Sequence, residues 1–419
     1  MRTIPVFLIL VILFAACKKE NPATQNSFPN KIVLNNLQTS LDSVVLTWSV
    51  LDDPNFNSYS VIRKENPLDP GVSISYGISG SHDTRFVDKH IPYTPYLAYQ
   101  IIGQLRNGQS ISSNEVSYLR PEIKVVDINP FDVQFDNQNR QLYFFEKNGI
   151  ISIYNLQNNQ LVKSLNTGST IGYCDFGIYN GIKELYVPRN DGWLFVYNAQ
   201  TLEIIDQINV GLASSCVVFS NNMLYISSAA WTNRPIKVYN RTTKSLIAEN
   251  GDFELTRFKK IPNSNTELIE ITINIGPTDQ DYYSFGENGN FILHQNDSYH
   301  GDYPLDASIF EFFPSGNKYI TSSSGAIYNR NMAFEATLPR GNLEFTSFCF
   351  DGQQSIFCGT TSKTVEVYSE TNYTHLRSIP TKAYPYRLFK DGNNGFICLS
   401  STTISNYSVP TKIIIETIQ

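Results

Sequence analysis

From residue 123 onward, short apolar runs alternate with polar turns in a fixed order. Each unit reads as a strand, a polar turn, a strand often carrying Leu-Tyr, a loop, a strand ending near Tyr-Asn, and a fourth strand. The segments QLYFFEKNGIISIYNLQNNQLVKSL, ELYVPRNDGWLFVYNAQTLEIIDQI and MLYISSAAWTNRPIKVYNRTTKSLIAE carry the pattern most clearly, and four weaker copies follow. The third-strand marker falls at Tyr154, Tyr197, Tyr239, His294, Tyr328, Tyr368 and Tyr407, in steps of 43, 42, 55, 34, 40 and 39 residues. The mean step is about 42. The long third step predicts an insertion or irregular edge around Asn274 to Tyr283. Turns such as FDNQNRQLY, FFPSGNKY and CFDGQQSIF place Asn, Asp and Gly where tight hairpins need positive φ.

From 31 to 120 the runs are equally short, but the period is missing. SVVLTWSV alternates around Trp48, and SYSVIRKEN follows with Tyr59 and Val61. Tyr99, Ile101, Gly103 and Leu105 then precede an Asn107-Gly108 turn. This order resembles a fibronectin type III domain, and the resemblance covers the 90 residues of 31–120. The resemblance implies a β-sandwich, with Tyr99 as the corner tyrosine whose hydroxyl ties back to the backbone. Over 122–419, four short strands per repeat resemble the blades of a β-propeller, of the WD-repeat-like and YVTN-repeat types. The Gly-His and Trp-Asp markers of true WD repeats are missing, so the resemblance implies a divergent member. The expected fold is all-β: a fibronectin type III-like sandwich over 31–120, then a seven-bladed propeller over 122–419. The boundary is expected near Arg120-Pro121-Glu122. EIKVVDI and TKIIIETIQ compete to complete the last blade.

The apolar run Ile4 to Ala16 behind Arg2 is too short for a bilayer crossing, which needs about 20 residues. Charge, apolar middle and small residues before a break are the layout of a secretory signal peptide over 1–16. The ending Ala15-Ala16-Cys17 resembles a bacterial lipobox. The resemblance implies that Cys17 is lipidated and becomes the new N-terminus, with acyl chains enough to hold the protein at a membrane. Residues 17–30 contain almost nothing that packs and read as a flexible tether. Lys18-Lys19 resembles the start of Bacteroidetes-type lipoproteins, which implies the cell envelope and the outer membrane.

Composition narrows the chemistry. The 419 residues carry a net charge of −6, and 17% of them are charged. A nucleic-acid binder should show a basic stripe, so no nucleic-acid partner is expected. Beyond Cys17 the cysteines are Cys174, Cys216, Cys349, Cys358 and Cys398. An odd, scattered set is not a disulfide framework. A hairpin centred on Gln353-Gln354 would place Cys349 opposite Cys358, so either a cross-strand disulfide or buried free thiols result. The five histidines show no metal-ligand spacing, and Asp279 and Asp281 in GPTDQDYY are too few for a calcium loop. No metal or cofactor is expected, and no nucleophile elbow or phosphate loop is present.

In a propeller, the loops between second and third strands and the connections between blades share one face. The candidate ligand-binding residues there are Tyr173, Arg189, Asp191, Trp193, Trp231, Arg234, Arg257 and Arg340. Aromatic rings supply apolar area, and the charged groups orient a partner. Asp175, Asp279, Asp281, Tyr283 and Tyr386 belong to the same wider set. The expected function is non-catalytic binding of a glycan or a protein by a lipid-anchored envelope protein, with no catalytic residue. Two alternatives stay open: a polysaccharide hydrolase or lyase, whose carboxylates would come from different blades, and a scaffold in an envelope assembly.

Overall fold

The computed structural model describes residues 31–40, 42–392, 395–404 and 412–419. The apolar leader, Cys17, the whole tether and the Tyr407 marker lie outside the described residues. Among the described residues, every regular element is a strand. The chain divides into two compact units. One takes residues up to Asp88 together with Ala98–Tyr118, and the other takes Lys89–Leu97 and Leu119–Gln419.

The first unit holds two sheets. Gln38–Thr39, Val44–Thr47 and Arg85–Asp88 form one; Val72–Ile78, Phe56–Lys64, Tyr96–Leu105 and Ser110–Ser112 form the other in that order, with Val116–Leu119 also pairing Tyr96–Leu105. Alternation buries Val44, Leu46 and Trp48, and the Trp48 ring meets Tyr59 edge-on at 5.4 Å. Tyr59 carries a hydroxyl that ties to the backbone. Tyr59 accepts from the Leu51 N–H at 2.7 Å and donates to the Ser81 carbonyl at 3.0 Å. The Tyr99 hydroxyl goes to the Asp88 carboxylate at 3.0 Å.

Among the described residues, the second unit holds seven four-stranded antiparallel sheets, here sheets I to VII. Sheets I to VI each take four consecutive strands, over 130–166, 175–209, 214–250, 256–296, 310–337 and 345–380. Sheet VII takes Tyr384–Asp391, Gly395–Ser401 and Lys412–Ile418, and its fourth strand is Val126–Asp127. Both competing segments therefore belong to it: IIIETI is the third strand and KVVDI brings the fourth. Lys412 faces Asp127 and Ile413 faces Val126.

Burial explains the hydrophobic pattern strand by strand. Second and third strands such as Gln141–Glu146 and Ile150–Asn155 are buried along their length. Both of their faces meet a neighbouring sheet, so they read as continuous apolar runs. Fourth strands such as Gln160–Asn166 and His375–Pro380 are almost wholly exposed. Apolar clusters join each sheet to the next in sequence. Tyr143 and Leu185 join sheets I and II, Tyr186 and Leu224 sheets II and III, and Tyr225 and Tyr283 sheets III and IV. The series continues through sheets IV–V, V–VI and VI–VII. A last cluster joins Leu399 and Ile413 of sheet VII to Leu142 and Phe144 of sheet I.

Two registers differ from expectation. His294 lies in a fourth strand, Phe291–Asn296, and the third strand of sheet IV is Gln280–Phe285. Tyr283 faces Leu268 there, as Tyr154 faces Leu142 in sheet I. With Tyr283 as marker the steps are 44 from residue 239 and 45 to residue 328, so the 55-residue step disappears. Sequence reading failed because sheet IV ends its third strand on Tyr-Ser-Phe rather than Tyr-Asn. In sheet VI, Cys349 faces Phe357 and Cys358 faces Phe348. The hairpin is offset from the expected one, and in a strand each residue of slip reverses the face. Cys349 and Cys358 are free thiols, as are Cys174, Cys216 and Cys398.

Candidate functional site

The innermost strands of all seven sheets line one cavity of about 520 Å3. Its wall needs close main-chain approach between neighbours. Between sheets II and III, the Tyr173 N–H donates to the Ser215 carbonyl at 2.8 Å, and the Val217 N–H donates to the Tyr173 carbonyl at 3.0 Å. Gly172 permits this, because a Cβ there would stand 2.1 Å from the Ser215 oxygen.

Arg257 is held from several sides in this cavity. Its guanidinium lies 4.1 Å from the Tyr173 ring centroid, pairs with Asp132 at 3.2 Å and donates to the Ala307 carbonyl at 2.9 Å. Burial lowers an arginine pKa, but Asp132, Tyr173, Cys216 and Glu311 together outweigh it, and the net shift is upward. Burial pushes the Tyr173 phenol up to about 12, against the pull of Arg257. Arg387 repeats the arrangement from sheet VII, 4.1 Å from the Tyr386 ring centroid and donating to the Thr346 carbonyl at 3.2 Å. Lys259 pairs with Glu311. Asp175 accepts the Phe219 N–H at 2.8 Å, and burial raises its carboxyl to about 6. Each channel carboxylate thus has a cation or a backbone donor, although the second oxygen of Asp132 has no partner.

Five of the other expected residues gather at one sector where sheets II and III end. Arg189, Asp191 and Trp193 form the turn between Pro188 and the strand beginning at Trp193. Arg189 is buried rather than offered to a partner. It pairs with Asp191, donates to the Thr167 carbonyl at 2.7 Å and lies 4.0 Å from the Phe195 ring centroid. Trp193 is the first residue of a strand, opposite Asn209, and is 36% exposed. Trp231 and Arg234 occupy the equivalent loop of sheet III; Arg234 is exposed and Trp231 is 77% exposed. Main-chain bonds connect the two loops. Val210 donates to Gly192 at 2.9 Å, and Ala229 donates to Ala213 at 2.6 Å, so the 210–213 connection lies between them.

The structure therefore brings Tyr173 to Arg257 in the channel, and groups Arg189, Asp191, Trp193, Trp231 and Arg234 at an end sector. Arg340 joins neither group and donates within its own loop to the Leu343 carbonyl. Arg257 and Tyr283 are strand residues, not loop residues, and Tyr283 is fully buried. Sequence reading missed Asp132, Lys259, Glu311 and Arg387. Each comes from a different innermost strand, and the only local signal is a charge within a short apolar run.

No family model and no curated protein matches this chain. Solved structures do. The crystal structure of RRP9 WD40 repeats aligns at 12% identity over 70% of this chain and 96% of its own, with a TM-score of 0.53. The computationally designed Ika8 protein aligns at 14% identity over 71% of this chain and 98% of its own, with a TM-score of 0.48. At 12% identity the likeness to the RRP9 repeats is one of fold. The chain is all-β, and its repeated four-stranded sheets resemble a WD40 propeller.

Proposed function

We propose that this chain is a cell-envelope lipoprotein in which a fibronectin type III-like module carries a seven-bladed propeller. The propeller recognises a protein or glycan partner and performs no chemistry on it. The observation that carries the recognition reading is Trp231, 77% exposed in a loop whose start at Ala229 is bonded to the neighbouring connection. A large ring held out on a fixed backbone loses little entropy when a partner covers it. The pairing of Asp132 with Arg257 and of Glu311 with Lys259 supports recognition over hydrolysis. The run Phe291, Ile292 and Leu293, exposed on the outer strand of sheet IV, favours a protein partner over a glycan.

A photo-crosslinking amino acid placed at residue 231 in living cells tests this reading. The expected result is one dominant adduct, lost when Trp193 is replaced by Ala in the same chain. Equal labelling from residue 231 and from Leu161, an exposed outer-strand position, would show that the Trp231 sector is not a specific surface.

A further inference from the structure

Sheet IV carries a polar cluster that the channel and the end sector do not use. In sheets III, V and VI the marker tyrosine spends its hydroxyl on the preceding connection. Tyr239 donates to the Val210 carbonyl, Tyr328 to Pro304 and Tyr368 to Pro339. Tyr283 instead donates to the Asp281 carboxylate at 3.2 Å. His294 stacks on Tyr283 with centroids 4.5 Å apart and planes 8° from parallel, and its Nε2 lies 2.9 Å from the same Asp281 oxygen. The connection from sheet III brings Asp252 to this place. The ligand atoms of Asp252, Asp281 and His294 all lie within 4.8 Å of one another.

A second observation sets this cluster apart from an ordinary acidic patch. Glu270 faces Asp281 directly across the second and third strands, so both side chains share one face of the sheet. Both residues are 0% exposed. No hydrogen bond of ordinary geometry reaches either oxygen of Glu270, although the Thr256 hydroxyl lies beside it, and the second oxygen of Asp281 has no partner. Two adjacent buried carboxyls with three idle oxygens are costly unless a proton or a cation compensates them.

Sheet VI supplies an internal comparison. Glu366 stands two residues before Tyr368, and His375 faces that tyrosine and lies 2.7 Å from Glu366. There the carboxylate also accepts from Ser378, and among the described residues no idle buried carboxylate adjoins it. The acid–histidine pair recurs, but only sheet IV adds Asp252 and Glu270 to it.

We propose that Asp252, Asp281 and His294 form a site for one divalent cation that ties sheet III to sheet IV. Two carboxylates and one imidazole suit a borderline ion such as Zn2+ or Mn2+. Exposed Asp252 is the entry side, and a water completes the coordination. Glu270 lies outside the ligand set and adds negative charge behind Asp281. Asn296 donates to Asp252 at 3.0 Å and orients it from the outer shell. The site has no short sequence motif, because its three ligands come from an inter-sheet connection, a third strand and a fourth strand.

The test uses the purified full chain, stripped with a chelator and titrated by calorimetry with Zn2+ and, separately, Mn2+. Co2+ absorption reports the coordination directly. One equivalent is expected to bind, with a rise in Tm. Asp252→Asn, at an exposed position that leaves folding intact, should weaken binding at least about tenfold. His294→Ala should abolish the Co2+ band, while His375→Ala in sheet VI should leave it unchanged. No saturable binding of either ion, or binding that survives both Asp252→Asn and His294→Ala, overturns the proposal. In that case the Glu270–Asp281 pair is compensated by a proton alone.

Discussion

At the residue scale, the buried ion cluster between sheets II and III has the clearest consequence. Arg241 donates to both Glu184 oxygens, at 2.9 and 2.8 Å, and to Asp206 at 3.0 Å, with Arg241 and Glu184 almost wholly buried. Removing the cation strands a buried carboxylate. Arg241→Ala should therefore cost about 3–5 kcal/mol, read as a lower urea midpoint at unchanged slope; a loss below about 1 kcal/mol would mean water replaces the guanidinium. Asp175 gives a pH dependence. Its folded value of about 6 exceeds the ordinary 3.8, because burial outweighs the Phe219 and Phe176 N–H groups and the lysine charges. The folded chain holds this proton more tightly, so the contribution to stability is complete below about pH 4 and lost as pH rises to about 6. Asp175→Asn keeps an oxygen for the Phe219 N–H. It should melt no lower than the parent at neutral pH and show a smaller Tm difference between about pH 4 and 7. Superimposable pH profiles for the two proteins would refute this account.

At the element scale, sheet VII depends on a strand from the other end of its unit. Val126–Asp127 contributes only two pairs to Lys412–Ile418, yet Val126 also enters the core shared by sheets VII and I. A chain beginning at residue 122 keeps this strand, and one beginning at residue 129 loses it. The shorter chain should melt several degrees lower and exchange the Ile413–Ile415 amides faster. Equal melting would assign ring closure to side-chain packing alone. Gly172 is a second element-scale test. Gly172→Val would drive its side chain into the Ser215 carbonyl and part the innermost strands of sheets II and III. The expected result is a large Tm loss, whereas Gly341→Ala, with nothing within 4 Å of an added Cβ, should cost only the strain of its φ of +59°.

At the scale of the whole molecule, seven sheets join through seven apolar clusters, the last of which returns to sheet I. A cyclic series has no terminal sheet to fray, so melting of 122–419 should be a single cooperative transition. The proposed lipid anchor is tested separately. Cys17→Ala should release the protein from membranes or leave it unprocessed, and a mature, membrane-bound Cys17→Ala protein would end the lipoprotein reading.

Strand content, the repeat of about 42 residues and the four-stranded grouping were legible in the sequence. The reason is local: hairpin turns announce themselves through Asn, Asp and Gly, and strands packed on both faces must be continuously apolar. Where the local signal lapses, as at Tyr283-Ser284-Phe285, the marker moved to His294, one strand too far. The partner of the last third strand lay beyond any local rule, because Val126 and Ile413 meet only when the series of sheets closes. The same holds for the charges. Asp132 meets Arg257 across 125 residues of chain, and Asp252 meets His294 from the connection that leads out of sheet III. Periodicity reports which face a residue turns, but only the folded arrangement decides which other residue stands there.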